Sequence, residues 1–141
     1  MSDGLVFPDV RTAVWELLNG SKHYDAFTDT TATVRAVLKI PVDAHGLIQG
    51  PFPLAHVRNG APGTQGFIDR ADRVAVDVYA PHESAVNVCE SICTYLTGQG
   101  IETPSGYLDS IEPDELPVDV PYQSEVVNQA TATLLVVTRP I

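Results

Sequence analysis

Cys89 and Cys93 stand four residues apart in a segment with helical periodicity, so their thiols fall on neighbouring turns of one face. Two soft metal ligands are placed that way in some sites, but a complete structural zinc site needs four, and no His-x-x-Glu-His company accompanies them. Neither is flanked by a base or a glycine-rich turn that would favour a thiolate, so both read as small buried hydrophobes. His23, His45, His56 and His82 are scattered without ligand spacing. Gly60-Ala61-Pro62-Gly63-Thr64-Gln65-Gly66 has the look of a phosphate cradle. A P-loop, however, needs a lysine and a hydroxyl residue opening a helix, and Phe67-Ile68-Asp69-Arg70 follows instead. Asp69, Asp72 and Asp77 are interleaved with Arg70 and Arg73, which reads as a solvated strand edge of mixed charge. No Gly-x-Ser-x-Gly elbow and no dinucleotide fingerprint occur. These residues predict no catalytic set, no metal and no cofactor.

The elements that would position such groups follow from periodicity. Val10, Ala13, Val14, Leu17 and Leu18 recur at the spacing of a buried helical stripe, which predicts a helix over Pro8–Leu18 stopped by Asn19-Gly20. Trp15 falls off that stripe, to cover the flank of the core or to face a neighbour. Thr30–Ile40 is rich in β-branched residues and reads as one strand, whereas the prolines and glycines of 41–53 read as loop. Phe52–Asn59 and Phe67–Ala80 predict two strands joined by a hairpin at Gly60–Gly66. Ala85, Val88, Cys89, Ile92 and Leu96 define a second helix over Pro81–Leu96, with His82 in its first turn and Gly98 and Gly100 beyond its end. A short strand over Tyr107–Ile111, an acid- and proline-rich stretch through Pro121, and a final strand over Glu125–Thr138 complete the chain. The order, without a βαβ repeat, predicts a single α+β domain: two principal helices packed on a mainly antiparallel sheet.

Composition sets the outer limits. The chain has 141 residues, 44% hydrophobic, with a mean hydropathy of +0.04, enough for one core. No stretch approaches the ~18 apolar residues of a membrane span, and the first residues lack the basic and apolar regions of a signal peptide. Eighteen acids face eight bases, for a net charge of −10, which disfavours grip on a duplex or on an anionic membrane. The charge is polarised along the chain. Residues 1–73 carry eight acids and seven bases, residues 74–141 ten acids and one base, Arg139, and the density peaks from Glu112 to Glu125.

The pattern resembles a known family. An amino-terminal helix precedes Phe52-Pro53-Leu54-Ala55-His56-Val57-Arg58, and a glycine-rich hairpin leads to Asp72-Arg73-Val74-Ala75-Val76-Asp77-Val78-Tyr79-Ala80. A helix opening Pro81-His82-Glu83-Ser84-Ala85 carries Cys93-Thr94-Tyr95-Leu96 near its end, and the tail holds Val120-Pro121-Tyr122 and Ala130–Arg139. In this order of elements the chain resembles the tail terminator, or tail-completion, proteins of long non-contractile-tailed bacteriophages. The likeness covers residues 50–141, and residues 5–20 by position; residues 21–50 lie outside it. It implies a non-enzymatic virion protein, assembled in the host cytoplasm, that forms a homohexameric ring at the head-proximal end of the tail. Such a ring caps the tail tube protein, ends its polymerisation and offers a docking surface to the head connector or stopper protein. DNA passes through the lumen without specific binding. Other neck and connector proteins of similar size are the alternative, followed by a small enzyme using Cys89 or Cys93 with a histidine.

Size is compatible with that ring. A domain of this length has a radius of gyration of about 14 Å, and six spheres of about 37 Å diameter enclose a hole of about the same width, which admits a duplex. Candidate subunit or partner contacts are Trp15, Phe52, Leu54, Val57, Gly63, the final strand 130–138 as a free edge, and the acids Glu112, Asp114, Glu115 and Asp119. The acidic segment is expected to face either the lumen, where it repels phosphates, or a basic partner; the alternative is that the acids serve solubility alone.

Overall fold

The computed structural model describes residues 6–66, 69–122 and 126–141. Helix α1 spans Val10–Leu18 and α2 spans Ser84–Leu96. The strands are β1 (Lys22–Asp25), β2 (Thr30–Thr33), β3 (Arg35–Val37), β4 (Leu54–Asn59), β5 (Thr64–Gln65), β6 (Arg70–Pro81), β7 (Gly98–Thr103), β8 (Gly106–Val120) and β9 (Val127–Thr138). The main sheet runs in the order β3-β4-β6-β9-β8-β7, with β5 beside β6, and only β3–β4 is parallel. A separate ribbon pairs β1 with β2. This is the predicted α+β architecture: two helices on a mostly antiparallel, curled sheet.

Alternation decides which side of the sheet is the core. Val74, Val76 and Val78 of β6 stand beside Ala55 and Val57 of β4 and beside Ala130, Ala132 and Leu134 of β9, and all are buried in one cluster. Onto that face α1 lays Val10, Ala13, Val14 and Leu18, and α2 lays Ala85, Val88, Cys89, Ile92 and Leu96. The stripes read from sequence are therefore the packed stripes. α1 begins at Val10, two residues after the expected Pro8, because Asp9 caps it by accepting the Thr12 backbone N–H at 3.2 Å. α2 opens at Ser84 and not at Pro81. Its first turn is held by a distant residue: buried Asp25 accepts the Ser84 hydroxyl at 2.5 Å. His82 lies outside the helix, in a left-handed conformation with φ 51°.

Several segments depart from the sequence reading. The strand expected over Thr30–Ile40 is two strands in two sheets. At Val34 the chain crosses over, its side chain sunk into the core and its backbone bonded to Gly20 and Ser21. Gly98–Thr103, expected only to follow a helix stop, is β7. The short strand expected at Tyr107–Ile111 runs on to Val120, so the acid- and proline-rich stretch is itself extended. Prolines withhold a ladder donor, and Pro113 and Pro117 are tolerated because this half of β8 is paired on one side only, with two register shifts against β9. The final strand, β9, lies between β6 and β8, so its expected role as a free edge is corrected. Its predicted first residue, Glu125, is outside the described residues, as are Phe67 and Ile68.

Candidate functional site

The acidic strip is a product of where β7 starts. β7 pairs with β8 from Thr103↔Gly106 to Gly98↔Ile111; upstream of Gly98 the chain winds into α2 instead of continuing the strand. From Glu112 to Val120, β8 therefore has β9 on one side and no described strand on the other. Glu112, Asp114, Glu115 and Asp119 are all exposed along this stretch, so the structure brings four predicted residues onto one line. Asp114 accepts from Arg73 Nε at 3.0 Å, and the same guanidinium donates to the Pro62 carbonyl at 2.8 Å, tying the glycine-rich loop to β8. Leu116 and Val118 sit among these acids at 74% and 56% exposure, an apolar surface that the fold itself does not cover.

Beside the strip lies a groove of about 510 Å³. Cys93, Thr94 and Thr97 of α2 form one wall, Pro113, Leu116 and Pro117 of β8 the other, and Glu90 also lines it. The Thr94 and Thr97 hydroxyls are spent on the helix carbonyls of Glu90 and Cys93, which leaves the groove largely apolar. Sequence reasoning missed this groove. Its only signal was a leucine between two prolines in an acidic run, which composition files under loop.

The other predicted contact residues are placed differently. Leu54 and Val57 are fully buried in β4, an interior strand, and offer no surface to a neighbour. Trp15 is partly buried against the core, and its indole N–H donates to the Ala36 carbonyl at 2.9 Å. With Asn19 Oδ1 accepting from Ala36 N at 3.1 Å and Arg11 Nη2 donating to Leu38 O at 2.5 Å, it closes the outer side of β3. Gly63 is a packing requirement: a Cβ there would lie 1.8 Å from the Ala71 carbonyl oxygen. Phe52, half-buried, lines a separate cavity of about 300 Å³ with Phe27, Pro53 and Pro81.

Asp77 overturns the reading of a solvated strand edge. It is buried in the middle of the sheet, on the face away from the helices, where it accepts Arg58 Nε at 2.7 Å and Thr131 Oγ1 at 2.6 Å. His56 Nδ1 lies 3.8 Å from the same carboxylate. Burial lowers the His56 pKa despite the opposing pull of Asp77, and burial lowers that of His23, held between the Ser21 and Ser91 hydroxyls. Burial, with the Asp77 charge second, pushes Tyr79 up to about 12.

Both cysteines are free and buried. The hydrogen bond to Cys93, with burial second, raises the Cys89 pKa, so this thiol stays protonated. A helical i, i+4 pair holds its Cβ atoms about 5–6 Å apart, against the roughly 3.5–4.5 Å of a disulfide, so closing one requires unwinding α2. Among the described residues no group of three or more His, Cys, Asp or Glu is gathered as a metal site, and no helix is long and apolar enough to cross a membrane. Compared with known proteins, the chain matches no protein-family model and no curated sequence.

Proposed function

We propose that this chain is a structural virion protein that closes as a six-membered ring on the head-proximal end of a phage tail tube. There it blocks further addition of tube subunits, presents a surface to the head connector, and leaves a lumen for DNA. The observation that carries the reading is the anionic strip on β8. Four exposed carboxylates stand within eight residues along one uncovered half-strand, whereas the exposed Asp9, Asp29, Asp69, Glu83, Glu90 and Glu102 are spread over other elements and Asp25 and Asp77 are buried and bonded. An anionic line on one side of a subunit suits a wall that DNA slides past, or a contact with a basic partner, better than charge scattered for solubility.

A closed ring needs two unlike patches on each subunit, which meet head to tail. The two ends of this sheet are unlike: α1 side chains close the β3 end, and the β8 end is acidic and uncovered. Native mass spectrometry and electron microscopy of the purified protein, alone and with tail tubes, test the proposal. A hexamer, free or seated on tube ends, is expected. A monomer that persists at high concentration and leaves tube ends bare overturns it, and binding to DNA-filled heads in place of tubes reassigns the protein to the neck.

A further inference from the structure

We infer that the groove between α2 and the uncovered half of β8 is a docking site for an extended, lysine- or arginine-rich segment of another protein, which places one apolar side chain against Leu116. This goes beyond the ring reading, because the groove is complete within one chain and its occupancy can be measured without ring or tube.

Three observations converge on that occupant. The groove adjoins the stretch of β8 that β7, beginning only at Gly98, leaves without a described strand on one side, so that edge is open to one more strand. Its floor is apolar, with Leu116 74% exposed between Pro113 and Pro117 and facing the Cys93–Thr97 turn of α2. An apolar anchor seated there would cover a side chain that the chain leaves in water. Glu90 lines the groove, Glu112 and Glu115 stand on the same unpaired half-strand on the face away from α2, where alternate side chains of an added strand would meet them, and in sequence no lysine or arginine occurs between Arg73 and Arg139.

Charge also says that the cations come from elsewhere. Arg58, Arg70, Arg73 and Arg139 are already paired with Asp77, Asp72, Asp114 and Asp109. Arg11 and Arg35 donate to backbone carbonyls. Nowhere in the sequence do two Lys or Arg residues stand at i and i+2, the spacing that puts both on one face of a strand. A second copy approaching through its own β8 edge would set carboxylate against carboxylate, and the prolines and register shifts blunt the ladder further. The edge thus rejects its own kind and accepts a basic strand, which is specificity by repulsion as much as by attraction.

The test uses synthetic peptides as long as the uncovered stretch, alternating lysine with threonine around a single leucine, titrated into the isotope-labelled protein. Binding is expected to move the amide signals of 93–97 and 112–118. Replacing the peptide leucine by glycine should weaken binding about tenfold or more, the loss of one buried leucine. Leu116→Ala in the protein should match that loss, and Glu112→Gln with Glu115→Gln should weaken binding and flatten its salt dependence. Each variant is at an exposed position, and its unchanged spectrum elsewhere verifies folding. Equal binding of the glycine peptide means general electrostatic attraction only and overturns the inference. So do binding of a glutamate-for-lysine peptide, absence of binding, and signal changes confined to other surfaces. Peptide-free, concentration-dependent shifts at 93–97 and 112–118 show a second copy in the groove and overturn it as well. The oligomer assay on tubes is read separately, so failure of the groove leaves the ring standing and failure of the ring leaves the groove.

Discussion

At the β3 end of the sheet, Arg11, Trp15 and Asn19 reach over from α1 and its C-cap and satisfy the outer backbone groups of Ala36 and Leu38. Among the described residues nothing comparable arrives at the β8 end: residues 112–120 carry acids, two prolines and register shifts, with Leu116 and Val118 in water. Both devices keep an edge from pairing indiscriminately, one by filling its hydrogen bonds and the other by repelling copies of itself. The difference teaches where binding capacity resides. A filled edge is part of the monomer's stability, whereas a repelled edge remains open to a partner of the opposite charge.

The largest test of this contrast is Trp15→Ala. It removes a partly buried indole from the core and orphans the Ala36 carbonyl, so urea unfolding should show a loss of about 2–3 kcal/mol. Trp15→Phe should lose about 1 kcal/mol, the hydrogen bond alone. Leu116→Ala, a truncation of a 74% exposed side chain at the other edge, should change stability by less than about 0.5 kcal/mol. If the two edges respond alike, the distinction between filled and repelled is wrong.

Next in size is Asp77→Ala, which leaves Thr131 and the inner side of Arg58 without their acceptor and should cost about 2 kcal/mol. The triple change Glu112→Gln, Glu115→Gln, Asp119→Asn removes three carboxylates for a stability change within about 0.5 kcal/mol. Its effect should instead appear in sedimentation velocity, as increased self-association at low salt once the edge no longer repels its own kind.

Smaller again is a pH effect confined to the filled half of the molecule. His23 and His56 have folded pKa values below the ordinary histidine value of about 6.5, chiefly through burial. The unfolded chain then binds more protons just below that value, so their contribution is complete above about pH 6.5 and declines as pH falls through the folded values. Thermal unfolding should drop between pH 7 and pH 5, and His23→Gln should flatten the drop. A midpoint that rises over the same interval would refute the assignment.

How much was legible in the sequence follows element by element. Helix stripes and the Val74-Val76-Val78 alternation were readable because both faces of those elements have sharply different surroundings, and period records that difference. β1, β2 and β3 were not separable, because they are only three or four residues long and β1 buries the polar His23 and Asp25 while exposing Tyr24, the reverse of a hydrophobic alternation. β7 and the second half of β8 were hidden by glycine and proline, which signal turns unless an edge position removes the need for their missing groups. At the candidate site, the acids were legible as a run of charge, but their common line and the groove beside them were not.

By itself the sequence determined the α+β class, the core stripes, and the concentration of acid in the second half, since these depend on local order and composition. The tertiary structure decided that β9 is central, that Asp77 is buried, and that β7 stops where α2 begins. Those outcomes depend on which strands become neighbours. Pairing distant segments through hydrogen bonds fixes what is edge and what is interior, and local periodicity holds no record of it.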